Sequence, residues 1–324
     1  MTIRFALIMV FFCAAVPAFA SADNQANMDW PQIIAFATHQ TNYSGTFVYQ
    51  YNGHMETARI THISDQKGRH DKLEYLDGPR REFIRNNNET WWFWGDRKAT
   101  QVERQYNGNN FPALLPEQLS ALSENYVIYT AEQARIAGFD TQTIVFQPKD
   151  TLRYAHKMWA HKDSGLLLKA VVLNEHKQPV EQYAFIHITI GGDIERTSIS
   201  PDQSVVTEQP AQFPSPSETG GQASISDWRV VAVPPGFKKI MEMRRQFHNN
   251  KTDVIHYVFS DGLAGISVFI ESLGNNFGKK LGLSNRGAVH IYRKMKGDYL
   301  VTVVGEVPPR TVMQVADSVR YKGQ

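Results

Sequence analysis

The sequence predicts an α+β protein, mainly antiparallel β, with a large N-terminal domain and a small C-terminal α+β domain. Turn pairs such as Asn52-Gly53 separate many short apolar runs, which is the pattern of a β meander. Residues 197–226 are rich in Pro, Ser and Gly and poor in side chains that could be buried. Such a composition predicts a flexible linker, so we expect domains over residues 23–196 and 227–324.

The first 22 residues have the layout of a cleaved secretory signal. A basic start (Met1 to Arg4) precedes an apolar run (Phe5 to Val16), and small residues follow, Ala18-Phe19-Ala20. An uncleaved membrane anchor is the alternative, and it is disfavoured because the apolar run stops at Pro17. We expect cleavage near residue 20 or 22. The single cysteine lies inside this segment, so the mature chain is expected to have no disulfide and no thiolate metal site.

The N-terminal domain is predicted to begin with one helix and to continue as a long meander. Asp29 can cap that helix and Pro31 suits its first turn. A second helix is expected near residues 116–123. The predicted strands cover residues 45–51, 55–63, 73–76, 81–85, 90–94, 98–103, 135–139, 142–148, 153–161, 166–174 and 180–190. A meander of this length favours a strongly curved sheet or an open barrel.

The C-terminal domain is predicted to be a small sheet covered by one helix. Its predicted strands cover residues 239–247, 253–260, 265–271, 287–294 and 298–305. Pro308-Pro309 begins the predicted helix, and its apolar residues recur every three or four positions, at Val312, Val315, Ala316 and Val319. This spacing predicts that the helix packs on one face of the sheet.

Alternating aromatic residues predict an apolar cavity in the N-terminal domain. The run Trp91 to Trp94 and the strand containing Phe47 would present aromatic side chains on both faces of a sheet. One face can be core, and the other must meet a ligand, another layer or water. The predicted cavity residues are Phe47, Tyr49, Tyr51, Trp92 and Trp94. The alternative is ordinary core, since aromatic strand faces usually pack against a helix or a second sheet.

The charge is divided unequally between the two domains. Residues 23–221 hold 18 Lys and Arg against 24 Asp and Glu, a balance of −6, whereas residues 222–324 hold 15 against 8, a balance of +7. A basic domain can attract an acidic partner segment, lipid phosphates or its own acidic neighbour domain. The candidate anion or partner contacts are Arg80, Arg81, Lys238, Lys239, Arg244 and Arg245.

The motif search favours a binding protein over an enzyme. The sequence contains no nucleophile elbow, phosphate-binding loop, dinucleotide fingerprint or zinc-protease helix motif. The 11 histidines are scattered, and His156 and His161 would face opposite sides of one strand. We therefore expect no catalytic residue, no metal and no cofactor. A nucleic-acid partner is disfavoured, because the chain carries a secretory signal and its total charge is nearly balanced.

Several segments in both domains together resemble one family. In the first domain they are Asn42 to Tyr49 (NYSGTFVY), Glu56 to His62 (ETARITH) and Asp77 to Glu82 (DGPRRE). In the second they are Phe259 to Ala264 (FSDGLA) and Gly297 to Pro309, which ends in VVGEVPP. This set resembles the MucB/RseB family of envelope-stress regulators, and the likeness extends from about Trp30 to Val319.

The resemblance implies a function that the residue patterns alone do not. Proteins of this family are periplasmic negative regulators of a sigma-factor pathway, and their large domain is similar to the LolA/LolB half-barrel of lipoprotein carriers. They bind the periplasmic region of an RseA/MucA-type anti-sigma factor and shield it from regulated proteolysis, and lipopolysaccharide or another lipid releases it. By this resemblance we expect such a partner, and acyl chains as ligands. A homo-oligomer is left open as a further partner, since the sequence does not determine the oligomeric state.

Two other functions stay open at this point. A periplasmic lipid or lipoprotein carrier of the LolA type would share the cavity and need no protein partner. An envelope hydrolase would need a catalytic carboxylate pair, which the abundant Asp and Glu residues would allow but no motif indicates.

Overall fold

The computed structural model describes residues 29–87, 89–94, 100–101, 111–116, 119–199, 226–247, 252–272 and 280–322. The predicted signal peptide lies outside the described residues. So does the predicted linker, except for residues 197–199 and 226 at its two ends.

The N-terminal domain is one 11-stranded antiparallel sheet with helix α1 (Trp30–Gln40) at its start. The strands occur in the order β6-β5-β4-β3-β2-β1-β11-β10-β9-β8-β7 across the sheet. A second helix, α2 (Leu122–Asn125), precedes β7, and a short 3₁₀ turn (Arg196–Ile199) follows β11. The strands are β1 (Tyr43–Tyr51), β2 (His54–Asp65), β3 (Gly68–Tyr75), β4 (Arg81–Asn86), β5 (Glu89–Trp94), β6 (Thr100–Gln101), β7 (Tyr126–Ile136), β8 (Phe139–Pro148), β9 (Ala155–His161), β10 (Leu167–Leu173) and β11 (Pro179–Ile190).

Helix α1 packs against part of one face of this sheet and forms a core with it. The backbone N–H of Gln32 donates to the side chain of Asp29, as the capping prediction requires. Trp30 and Ile34 are buried in the same cluster as Phe146 and Leu167. The strongly apolar middle of the sheet therefore packs on this helix, which confirms the predicted first helix.

Gly45, in the NYSGTFVY segment, is required by a close approach of two strands. A Cβ atom at this position would lie 2.6 Å from the carbonyl oxygen of His187 and 2.9 Å from the ring of Phe185. The β1–β11 pairing shifts its register next to this point, between Thr46 and Phe47. The glycine therefore allows β11 to lie close against β1 where the two strands change register.

The C-terminal domain contains a six-stranded antiparallel sheet and a two-stranded one. The larger sheet has the order β13-β14-β15-β18-β17-β16, and β12 pairs with β19. Helix α3 (Pro309–Asp317) buries Val312 and Val315 against the larger sheet, as predicted. The strands are β12 (Trp228–Val230), β13 (Lys238–Phe247), β14 (Thr252–Ser260), β15 (Gly265–Ser272), β16 (Gly282–Arg286), β17 (Val289–Lys296), β18 (Tyr299–Gly305) and β19 (Val319–Tyr321).

The prediction of a strand over 135–139 was wrong, because a turn divides that range. Ala137 and Gly138 have φ angles of 48° and 90° and connect β7 to β8. The predicted helix near 116–123 was also wrong, since the helix there is only the four residues of α2. Val319 was predicted in the last helix, but it begins β19 and pairs with Val230. Strands β12, β16 and β19 were not predicted.

The fold class is confirmed: the described chain is mainly antiparallel β with few helices, and a separate C-terminal domain follows the large one. In the described part of the chain, no helix combines the length and the apolar character needed to cross a bilayer.

Candidate ligand cavity between the two domains

Arg153 anchors the contact between the two domains. Its fully buried guanidinium donates to Oδ2 of Asp261 at 2.7 Å and to the carbonyl oxygen of Pro235 at 2.5 Å. Tyr126 donates to the same Asp261 oxygen at 3.0 Å, and the Arg153 guanidinium lies 5.2 Å from the ring centre of Phe237. A charge removed from water needs such a complete set of partners, and here they come from both domains.

A second group of contacts joins the domains away from Arg153. Arg286 donates to Glu56 at 2.9 Å, and Arg310 donates to Glu175 at 2.8 Å. In each pair the cation belongs to the basic C-terminal domain and the carboxylate to the acidic N-terminal domain. Part of the positive charge of the C-terminal domain is therefore paired with carboxylates of the N-terminal domain.

Between these contacts the two domains line a cavity of about 720 Å³ that is partly open to solvent. This volume lies within the range of natural ligand sites, about 300–1,000 Å³. The N-terminal domain contributes a mainly apolar wall: Phe47, Tyr49, Ala58, Leu73, Tyr75, Phe83, Phe111, Leu114, Ala170, Val172 and Tyr183. The opposite wall comes from the six-stranded sheet, with Lys238, Ile240, Ser260, Gly265, Ser267, Val289 and Val304, and from Arg286 and Glu306 at the ends of its strands.

Stacked aromatic rings form one side of the cavity. The rings of Tyr49 and Tyr183 stack with centres 4.4 Å apart, and those of Phe111 and Tyr183 with centres 5.4 Å apart. Phe47 packs against Phe111 at 5.1 Å. Stacked and tilted rings at these separations are favourable beyond the area they bury, so this wall is ordered before any ligand arrives.

Two carboxyl groups lie on the polar side of the cavity, one from each domain. Glu181 accepts hydrogen bonds from the Tyr49 hydroxyl and the Ala288 N–H, both at 3.0 Å. Burial raises the pKa of Glu181 above its usual value. Burial, and then the nearby charge of Glu181, raises the pKa of Glu306 to about 7. On this side of the cavity the charged forms of both carboxyl groups are therefore disfavoured.

His156 and Tyr183 belong to the inner wall of the cavity, and burial shifts the pKa of each. Burial lowers the pKa of His156 to about 4, so its imidazole is neutral at neutral pH. Burial also raises the pKa of Tyr183 well above 10, with Glu181 as a further cause. Both shifts disfavour the charged form, as expected for groups facing an apolar interior.

The structure brings together some of the predicted cavity residues. Phe47 and Tyr49 line the cavity. Tyr51 lies just behind them, with its ring stacked on Tyr49 at 4.8 Å and the Arg286 guanidinium 5.1 Å from its centre. The side chains of Trp92 and Trp94 lie outside the described part of the structure.

The predicted charged contacts do not form one patch. Arg80 pairs with Glu82, Arg81 with Glu56, and Lys239 with Glu242. Arg244 is exposed on β13, and the side chain of Arg245 lies outside the described part of the structure. Lys238 belongs to the cavity wall. The two arginines of the DGPRRE turn thus pair with acidic residues of their own domain.

Sequence reasoning missed the residues that create the cavity, chiefly Arg153, Glu181, Asp261 and Glu306. Asp261 and Glu306 lie in the FSDGLA and VVGEVPP segments, which were used only as marks of a family. Their contacts with the other domain arise from tertiary structure and leave no local pattern. Within the described ranges, the structure holds no group of three His, Cys, Asp or Glu arranged for a metal ion.

The fold and the cavity define a two-domain, β-rich binding protein. Models of the MucB/RseB N-terminal domain and of the MucB/RseB C-terminal domain match residues 26–203 and 222–320. The chain belongs to the MucB/RseB family, which confirms the resemblance noted in the sequence.

The relatives and solved structures cover nearly the whole chain. The sigma factor AlgU regulatory protein MucB of Pseudomonas aeruginosa is 30% identical over 97% of this chain and 96% of its own. The sigma-E factor regulatory protein RseB of Escherichia coli K12 is 23% identical over 95% and 92%. A crystal structure of MucB in complex with MucA(peri) has a TM-score of 0.69 at 29% identity, covering 91% of this chain and 98% of that one. The relatives are named as regulatory proteins, in agreement with the prediction that the chain is not an enzyme.

Proposed function

We propose that this chain is a periplasmic negative regulator of an envelope-stress sigma-factor pathway. It binds the periplasmic region of an RseA/MucA-type anti-sigma factor and shields it from regulated proteolysis. The observation that carries the proposal is the likeness over both domains to MucB, which has been crystallised with MucA(peri). The chain reaches the periplasm through its N-terminal signal, cleaved near residue 20 or 22.

The surface proposed for the anti-sigma factor is the outer edge of β13 in the basic domain. This strand lies at the edge of its sheet, so one side of its backbone is available to pair with another extended segment. Lys239, Ile240 and Arg244 are all exposed on it. An acidic segment with apolar side chains would complement both the charge and the apolar surface of this edge.

Reversal of the charge on this edge tests the contact. Arg244→Glu should weaken binding of the anti-sigma periplasmic segment about tenfold, or about 1.4 kcal/mol, because a repulsive charge replaces an attractive one. The measurement is a titration of the purified full-length mature protein with that segment at moderate salt. Lys322→Glu, an equal charge change at an exposed position elsewhere in the same domain, should have little effect. Equal weakening by both variants would rule out β13 as the contact.

The cavity supports the second part of the proposal, release of the anti-sigma factor by a lipid. An acyl chain from lipopolysaccharide or another lipid would lie against the aromatic wall between the domains. Because both domains line the cavity, a ligand inside it changes the stability of the contact between them. Binding of lipid and binding of partner are then linked, and each lowers the affinity of the other by the same factor.

Lipid should therefore lower the affinity for the anti-sigma segment. Saturating lipopolysaccharide is expected to weaken that affinity at least fivefold, within the usual range of allosteric coupling. The experiment repeats the segment titration in the presence of intact or fully deacylated lipopolysaccharide. The deacylated form is the control, because it keeps the head group and lacks the chains. An equal effect of both forms would contradict a role for the cavity.

A periplasmic lipid or lipoprotein carrier is the alternative, and the same cavity favours it. A carrier moves its ligand between membranes without a protein partner. Movement of a labelled lipid from donor to acceptor vesicles, catalysed by the protein and unaffected by the anti-sigma segment, would support that function over regulation.

A further inference from the structure

The two domains meet on two sides of the cavity, and the contacts on these sides differ in kind. On one side the side chains of Arg153 and Asp261 form an ion pair, and both are 0% exposed. The backbone is closely packed beside this pair, since a Cβ atom on Gly236 would lie 2.0 Å from Oδ1 of Asn125 in the other domain. Separation here would break a fully buried ion pair together with its packing, which is costly. We call this side the pivot.

On the other side the tip of the β16–β17 hairpin, residues 286–288, lies against the N-terminal domain. Arg286 donates to Oε1 of Glu56 at 2.9 Å, and the arginine side chain is 58% exposed. The N–H of Ala288 donates to Glu181 at 3.0 Å, and Ala288 is buried in a small apolar cluster with Tyr154. An ion pair this exposed contributes little and is screened by salt, so this side is held weakly. We call it the latch.

The N-terminal partners of the latch keep other hydrogen bonds when the hairpin tip moves away. Glu56 also accepts from Arg81 at 3.4 Å and from the Tyr51 hydroxyl at 3.3 Å, and both donors belong to its own domain. Glu181 keeps the hydroxyl of Tyr49, and the donors of the hairpin tip gain water. Release of the latch therefore leaves no charge buried without a partner, which is the main cost of breaking such contacts.

Both the latch and the pivot border the cavity. Glu56, Glu181 and Arg286 line it at the latch, whereas Gly236 and Asp261 line it at the pivot. Release of the latch alone would let the C-terminal domain rotate about the pivot, as in a hinge motion between two rigid domains. Such a rotation widens the cavity on one side and keeps the domains joined on the other.

We propose that the β16–β17 tip is a detachable latch, and that release of Arg286 from Glu56 opens the cavity to its ligand while the pivot stays closed. The ionic part of the latch makes the closed form less stable at high salt. This inference rests on the proposal that the cavity holds a lipid, and it adds the movement by which the lipid enters.

Distances between spin labels test the movement, because the only cysteine of the chain lies in the predicted signal peptide. Labels on Met55→Cys and Leu283→Cys span the latch, and labels on Ser123→Cys and Lys239→Cys span the pivot, all at exposed positions. Glu56→Gln, or salt at about 0.5 M, should add a longer distance across the latch and leave the distance across the pivot unchanged.

Glu175→Gln is the matched control. It removes the other exposed ion pair between the domains, with Arg310 on α3, and should change neither distance. Fluorescently labelled lipopolysaccharide should bind to full-length mature Glu56→Gln about threefold faster than to the wild-type protein, because more of the protein is open. Its rate of binding to Glu175→Gln should equal that of the wild-type protein. Thermal melting verifies that each variant is folded.

The outcomes separate this inference from the proposed function. A latch distance that is unchanged in Glu56→Gln and at high salt overturns the inference, as does an equal lengthening across the pivot, which would mean that the domains separate completely. Equal rates of lipopolysaccharide binding by Glu56→Gln and the wild-type protein overturn the role of the latch in ligand entry. Absence of any lipopolysaccharide binding overturns the lipid part of the proposed function, whereas the distances alone decide the hinge movement.

Discussion

Replacement of Arg153 by leucine should lower the free energy of unfolding by about 3 kcal/mol. Loss of one partner of a buried ion pair costs roughly 3–5 kcal/mol, because the other charge stays buried without compensation. Here Asp261 is left facing the space once filled by the guanidinium. The lower end of the range applies, since Oδ1 of Asp261 still accepts the N–H groups of Leu263 and Ala264.

Urea denaturation of the wild-type protein and the variant measures this loss. Arg229→Leu is the control, because Arg229 is exposed on β12, and it should change the stability by less than about 0.5 kcal/mol. A loss below about 1 kcal/mol in Arg153→Leu would show that the buried network contributes little to docking of the domains.

Trp228→Ala should lower the free energy of unfolding of the C-terminal domain by about 4 kcal/mol. The indole is 5% exposed and meets the rings of Tyr299 and Tyr321 edge-on, at 4.9 and 5.2 Å. Removal of a buried Trp or Phe side chain costs roughly 3–5 kcal/mol through lost burial and the cavity left behind. Because β12 pairs with β19, the loss also loosens the junction of the first and last strands of the domain.

Trp228→Phe separates the loss of volume from the loss of an aromatic contact. The phenyl ring keeps edge contacts with the two tyrosines, so the variant should lose roughly half as much stability as Trp228→Ala. Urea denaturation followed by far-ultraviolet circular dichroism gives both values. Equal losses of unfolding free energy in the two variants would mean that the strands need the indole itself and that a phenyl ring at position 228 does not replace it.

The fold was predictable where turn chemistry and periodicity agree. Asn52-Gly53 fixes the β1–β2 hairpin, and the spacing of valines fixes the buried face of α3. The prediction errors lie where the sequence shows neither a turn motif nor an apolar periodicity. Strand β7 exposes most of its residues, so it has no apolar alternation, and its turn begins at Ala137, which local propensity does not place at a positive φ.

The cavity was only half predictable. Phe47 and Tyr49 could be identified because alternation places them on one strand face. The polar side of the cavity could not, since Glu181 and Glu306 line one cavity only when the two domains pack together. The sequence around either residue contains no pattern that indicates the other. The charge balance of the two domains indicated that they attract each other, but it did not identify the residues that form the contacts.

The seam between β1 and β11 affects how the large domain folds. Strands β1 to β6 and strands β7 to β11 are two arms of local hairpins, and the sheet becomes continuous only where β1 meets β11. Tyr49 and Glu181, which hydrogen-bond across this seam, are 132 positions apart in the chain. Each arm can form early through contacts of low sequence separation, whereas the seam requires closure of a very long loop. We therefore expect its formation to be the slow step of the domain's folding, with both inner strands exposed until then as unpaired edges that could associate with other chains.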